Sequence, residues 1–156
     1  MSIVKLPKMD KKEIHEAIKS NNLCRIAFIE GDFPYISPFQ YIFLNNVLYF
    51  HFTDYGKKME ILKKNRNVCV SFEKFEEDLS NYYFISIQGK LQLVDNEALK
   101  VEIVNKMVKD ARENFSTNFL MAHGFDKKEG WDHFSFKDQV FYKLEEVGEP
   151  VALKSH

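Results

Sequence analysis

The sequence predicts a mainly β fold with flanking helices, an α+β chain whose antiparallel strands curl into a closed or nearly closed barrel. Three observations carry this. The 156 residues include 15 Phe and 7 Tyr, and aromatic side chains favour pleated, half-buried surfaces. About six strand-like runs follow one another, mostly across short turns, which is the pattern of a meander. An antiparallel set of that size removes its exposed edges by curling on itself.

The elements read as follows. Residues 10–21 form a helix. Asp10 caps it, Glu13 stands three residues later at capping-box spacing, and Ile14, Ala17 and Ile18 make the inward stripe. His15 lies off that stripe and reads as a surface residue. Residues 23–30 form a strand that turns at Glu30-Gly31-Asp32. Residues 34–44 form a second strand, and Pro34 and Pro38 make it an edge, a bulged strand, or a strand open to a ligand. Asn45-Asn46 is a tight turn into a third strand at 47–53. A helix follows from 57 to 65, with Met59 and Leu62 inward. Strands follow at 68–74 and 82–95, and Gly89 suggests a bulge or bend in the second. Leu99, Ile103, Met107 and Ala111 mark a long helix over 97–114. Residues 115–133 read as irregular or partly helical, 134–147 as strand, and the tail from Gly148 as mobile or packed on a neighbour.

Bulk properties narrow the function. The length fits one domain, 1–156. A net charge of −1 lacks the basic excess of a nucleic-acid binder. No apolar run is long enough to span a bilayer, and the first twelve residues have no secretory h-region. Cys24 and Cys69 sit in strand-like runs without metal or CxxC spacing, so they read as buried, reduced thiols of a cytoplasmic protein. There is no nucleophile elbow, P-loop or dinucleotide fingerprint. His123 and His133 lack a third ligand at metal spacing, so they read as structural or surface residues, and Trp131 reads as a core or dimer contact.

The most informative segment is FHFTDYGKKMEIL, residues 50–62. A strand ends, Gly56 turns the chain, and a helix starts on Lys57 and Lys58. A helix N-terminus carries partial positive charge and free N–H groups, so cations are unfavourable there unless an anion lies between. Two readings stay open: both lysines point to solvent, or they hold a phosphate.

The run from Leu23 to Glu73 resembles the flavin-binding core of the pyridoxamine 5′-phosphate oxidase-like families, in their nitroimidazole-resistance branch. The resemblance rests on an ordered set. It comprises Leu23-Cys24-Arg25-Ile26-Ala27, Pro34-Tyr35-Ile36-Ser37-Pro38, Tyr49-Phe50-His51 with Gly56-Lys57-Lys58, and Asn65 with Val68-Cys69-Val70. Phe84 to Leu93 with Gly89 continues it. The resemblance implies a split β-barrel homodimer with FMN at the subunit interface. It implies that Lys57 and Lys58 hold the FMN phosphate, that His51 and Phe52 lie beside the phosphate or ribityl chain, and that Thr53 offers a hydroxyl. It also implies that Ser37, Pro38, Phe39 and Gln40 pass the isoalloxazine ring. For His51, packing among aromatics is the equal alternative.

The departures point away from vitamin B6 oxidation. Lys57 replaces the common arginine of the phosphate pair, Gln40-Tyr41 replaces a basic substrate contact, and the arginine-rich C-terminal motif is missing. Phe84 stands where that branch more often has a small polar residue. The implied activity is an FMN-dependent oxidoreductase that takes electrons from a small-molecule donor and passes them to a small planar acceptor, such as a nitroaromatic. The alternatives are a non-enzymatic flavin binder for storage or sensing, or a barrel for haem or a deazaflavin, with His51 or His123 as the axial candidate for haem.

Overall fold

The computed structural model describes residues 2–126, 128 and 139–156. Among them are eight strands and four helices. These are α1 (Lys11–Ser20), β1 (Cys24–Glu30), β2 (Phe33–Phe39), β3 (Ile42–Leu44), β4 (Val47–Phe52), α2 (Lys57–Lys64), β5 (Asn67–Phe75), β6 (Tyr82–Leu93), α3 (Glu97–Asn114), α4 (Asn118–Ala122), β7 (Val140–Glu146) and β8 (Val151–Lys154).

The capping box at α1 forms as the spacing predicts. The Glu13 amide donates to Asp10 Oδ1 at 2.8 Å, and the Asp10 amide donates to Glu13 Oε1 at 3.2 Å. Ala17 and Ile18 are buried. His15 differs from expectation: it is half-buried, with its ring edge against Phe43 at 5.7 Å.

The strands form one antiparallel sheet in the order β2-β1-β5-β6-β7-β4-β3, with β8 added to β6. It curls into a half-barrel flanked by helices. β2 is an edge, as its prolines require, and its register with β1 runs unbroken through Pro34 and Pro38. Residues 34–44 are not one strand, however. The chain leaves the ladder at Gln40-Tyr41 and starts β3, which pairs with β4 instead. The reason lies in Tyr41, whose hydroxyl donates to the Ile18 carbonyl and lies 2.6 Å from the Asn21 carbonyl, which anchors this crossing to the end of α1. Asn45 and Asn46 take φ of 52° and 63°, the left-handed pair of a type I′ hairpin.

Gly89 marks no bulge, since both its ladders keep register. A Cβ there would lie 2.5 Å from the Glu145 carbonyl oxygen, so glycine is needed for close approach of β7. The bend expected in this strand appears as a change of partner. β6 pairs with β8 over Tyr83–Ser86 and with β7 over Gly89–Leu93. The C-terminal tail is therefore a strand of the same chain's sheet. The expected strand over 134–147 is described only from Val140, because residues 134–138 lie outside the described part, as do Trp131 and His133. Within 115–133, α4 supplies the partial helix.

Two apolar clusters follow from strand alternation. The inner one fills the barrel with Phe28, Phe50, Phe72, Ile85 and Leu91, closed by Ile18 of α1 and Leu62 of α2. The outer one packs Ile103, Val104, Met107 and Ala111 of α3 on Ile42, Tyr49 and Phe141. On the other outer half, Ile29 of β1 and Phe33 and Ile36 of β2 are exposed.

Candidate functional site

Strand β4 distributes the predicted residues between two faces. Leu48, Phe50 and Phe52 point into the inner cluster, and Tyr49 points into the outer one. Period-2 alternation puts His51 with Tyr49. Phe52 is buried against Phe39, Tyr142 and Phe28 at ring distances of 5.1, 5.2 and 6.4 Å. Its side chain is core, so a ligand can meet it only through the backbone.

His51 sits in an aromatic cluster. Its ring centroid lies 5.3 Å from His123, 5.3 Å from Phe141 and 6.2 Å from Phe125. Burial, helped by the nearby His123 and partly opposed by the bond to the Gln139 side chain, pushes its pKa down to about 4. His51 is thus neutral at pH 7. Burial also lowers His123, with a small contribution from the Lys58 charge, while the bond to the Phe119 carbonyl opposes it. That bond, from His123 Nδ1 to the Phe119 oxygen, is 2.9 Å.

After β4 the chain turns through Thr53, whose Oγ1 donates to the Tyr55 carbonyl at 2.8 Å. Thr53 therefore shapes this turn, and its methyl would lie 3.7 Å from a Cβ placed on Gly124. Gly56 then adopts φ 95° and ψ 174°, a region open to glycine alone. It is the N-cap of α2, and no side chain caps this helix. The first intrahelical bond runs from the Glu60 amide to the Gly56 carbonyl at 3.1 Å. The amides of Lys57, Lys58 and Met59 precede it and have no intrahelical acceptor.

The two lysines occupy these first positions. Lys57 Nζ lies 3.4 Å from Glu30 Oε1 and 4.7 Å from the centre of the Tyr35 ring. Lys58 Nζ lies 4.6 Å from the centre of the Phe39 ring. Lys57 is exposed and Lys58 half-buried, and burial lowers the Lys58 pKa from its ordinary value. Neither simply points into solvent. β2 supplies the aromatic floor, because Tyr35, Ser37 and Phe39 share one face of that strand. Ser37 and Phe39 are buried, Pro38 is exposed on the opposite face, and Gln40 is half-buried at the crossing.

The structure thus brings Phe39, Lys57 and Lys58 together, with Tyr35 and Glu30 as partners. His51 belongs to a neighbouring cluster reached through His123. Sequence reading missed Tyr35, Phe125 and Gln139 as neighbours of these residues. Gln139 carries no sequence signal: it is an ordinary polar residue before a strand. Yet it is only 6% exposed, and its side chain bonds the His51 ring, which raises the His51 pKa against burial. Gln40 Oε1 is buried without a hydrogen-bond partner. Among the described residues, no group of three or more His, Cys, Asp or Glu side chains could hold a metal ion.

The open half of the outer face carries a cleft of about 450 Å³ bounded by Ala27, Ile29, Pro34, Cys69, Gln88 and Val147. Ile36 and Phe33 add exposed apolar surface at 61% and 76% exposure, more than isolated surface residues require. Cys69 is only half-buried there, unlike the fully buried Cys24, because it faces outward from β5.

The curled antiparallel half-barrel with α2 following its fourth strand defines a split-barrel protein. Comparison with solved structures agrees on the fold. A FAD-binding protein from Mesorhizobium loti matches with a TM-score of 0.65 and 17% identity, over 98% of this chain and 100% of that one. A candidate 5-nitroimidazole antibiotic resistance protein from Bacteroides thetaiotaomicron matches with a TM-score of 0.66 and 20% identity, over 96% and 87%. A candidate pyridoxamine 5′-phosphate oxidase from Listeria innocua matches with a TM-score of 0.62 and 19% identity, over 91% and 96%. No curated protein matches the chain. The family model described as pyridoxamine 5′-phosphate oxidase covers residues 10–123. The chain belongs to that pyridoxamine 5′-phosphate oxidase family.

Proposed function

We propose that this protein binds a flavin, with FMN as the ligand, and works as a flavin-dependent oxidoreductase on a small planar acceptor. The observation that carries this is the start of α2. Three amides lack intrahelical acceptors at a start that no side chain caps, and the first two residues of that helix are lysines. A phosphate monoester satisfies all of them. It would compete with Glu30 for Lys57 and raise the lowered Lys58 pKa. The residues present fit the cofactor in a second way, because the buried Gln40 Oε1, at the end of β2, has no hydrogen-bond partner.

When bound, the flavin supplies the electron transfer. The chain's part is to hold it. Lys57 and Lys58 bind the phosphate, the backbone of β2 from Ser37 to Gln40 passes the ring, and the neutral His51 cluster keeps one side dry. No described side chain is placed as a dedicated acid or base, which favours simple electron or hydride transfer to a stacked acceptor such as a nitroaromatic. The haem alternative loses support at His51, whose ring is packed among three rings.

Two further parts of the reading rest on the same fold. The open apolar face over β1, β2, β5 and β6 suits a second copy of the chain, giving a homodimer with the flavin at its interface. Two thiols without a disulfide suit a reducing, cytoplasmic setting, and among the described residues no helix is long and apolar enough to cross a membrane. FAD is a second reading, because the Mesorhizobium loti relative binds it. Denaturing the purified protein and identifying the released chromophore tests the proposal. FMN supports it, FAD replaces the mononucleotide by the dinucleotide, and a colourless protein that takes up neither flavin overturns it.

A further inference from the structure

The first two residues of α2 each rest on an aromatic ring of one strand. Lys57 Nζ lies 4.7 Å from the centre of the Tyr35 ring, and Lys58 Nζ lies 4.6 Å from the centre of the Phe39 ring. Tyr35 and Phe39 are four residues apart on β2, so strand alternation puts both on its inner face. Contacts of this kind occur about once per 70–80 residues, so two on consecutive lysines, from one face of one strand, mark an arrangement rather than a chance meeting. Phe39 is explained by the core, since it is buried against Phe28, Phe50 and Phe52. Tyr35 is only half-buried, leaning on Phe28 at a ring distance of 6.3 Å. The Lys57 side chain is 55% exposed, yet its ammonium has a fixed place above that ring and 3.4 Å from Glu30 Oε1.

Resting on the flavin reading above, we infer that Tyr35 is a positioning residue of the phosphate site, whose ring face holds the Lys57 ammonium at the start of α2 so that it meets the phosphate already ordered. A lysine on an open surface loses rotamer freedom when a ligand fixes it, and ordering it beforehand removes that cost from binding. The two partners of Lys57 act differently here. Glu30 carries a full negative charge and competes with a phosphate for the ammonium. The ring face attracts the cation through its quadrupole, carries no net charge, and leaves N–H donors free for a phosphate. Tyr35 can therefore keep Lys57 in place while those donors turn to the anion. Phe39 stands beneath Lys58 in the same way.

The test compares the wild-type protein with Tyr35→Leu and Tyr35→Phe, each apo-protein being titrated with FMN and with riboflavin. Removing the ring should weaken FMN about two- to fivefold and leave riboflavin unchanged. Tyr35→Phe keeps the ring and should bind FMN as the wild type does. In a Lys57→Ala background, Tyr35→Leu should cost no further FMN affinity, because the ring then has no ammonium to hold. An unchanged or higher FMN affinity in Tyr35→Leu, an equal loss for riboflavin, the same loss in Tyr35→Phe, or the same loss without Lys57 overturns the inference. If Tyr35→Leu does not fold, the Lys57 side-chain NMR signals of the wild type decide. Its Hε protons should lie upfield of their unfolded-chain position in the apo-protein, shielded by the ring, and stay there on adding FMN. Unshielded signals, or shielding that vanishes with FMN, overturn the inference. A wild type that binds FMN no more tightly than riboflavin defeats the phosphate reading itself, and this inference falls with it.

Discussion

Helices α1 and α2 both lean on the barrel, but they begin in opposite ways. α1 starts on Asp10 with a reciprocal bond to Glu13, so its orphan amides are met by the chain itself. α3 likewise starts on Asn96, whose side chain accepts from the Leu99 amide. α2 starts on Gly56 with no cap, and its first two residues are lysines. The capped starts serve stability. The uncapped start, on glycine, gives up only about a few tenths of a kcal/mol of capping but adds like-charge repulsion with the helix dipole. That arrangement is reasonable where a ligand's anion completes the turn.

The largest effect expected from this contrast is on binding. Lys58→Ala should weaken FMN by about tenfold to a hundredfold, the range for a hydrogen bond to a charged group. Riboflavin, which lacks the phosphate, should bind the variant and the wild type alike in the same fluorescence titration. The second is at Gly56. Its backbone region is closed to other residues, so Gly56→Ala should cost about 1–3 kcal/mol of stability and weaken FMN as well, read by denaturant melts and titration together. The third is the control on α1. Asp10→Ala should cost about 1 kcal/mol in the same melts and leave FMN affinity unchanged, since its cap serves the helix only.

The smallest expected effect concerns the histidine cluster. His51 has a folded pKa of about 4, below its unfolded value of about 6.5. The unfolded chain therefore takes up protons first as pH falls, and stability must rise with pH across this window. The stability present above pH about 6.5 should be lost progressively toward pH 4, with His123 acting in the same direction. Equilibrium melts over that range should show this slope, and His51→Gln should flatten it.

Much of this architecture is legible from local rules. The α1 cap, the Asn45-Asn46 hairpin and the stripe of α3 are set by short-range chemistry, and the sequence shows them directly. The site is legible in one stretch only, Gly56 to Lys58, where residue order carries the meaning. Long-range events are not legible. The break at Gln40-Tyr41 depends on carbonyls of α1, and the need for glycine at 89 depends on the β7 backbone. The core position of Phe52 and the neighbourhood of Gln139 follow from β4–β7 pairing across nearly ninety residues. A linear sequence gives no register for such a pairing.

The central claim is that the α2 N-terminus is a phosphate site. Parallel titration of the wild-type apo-protein with FMN and with riboflavin tests it most directly. The account predicts that FMN binds at least about tenfold more tightly and that added inorganic phosphate erodes the difference. Equal affinities for the two flavins would contradict it.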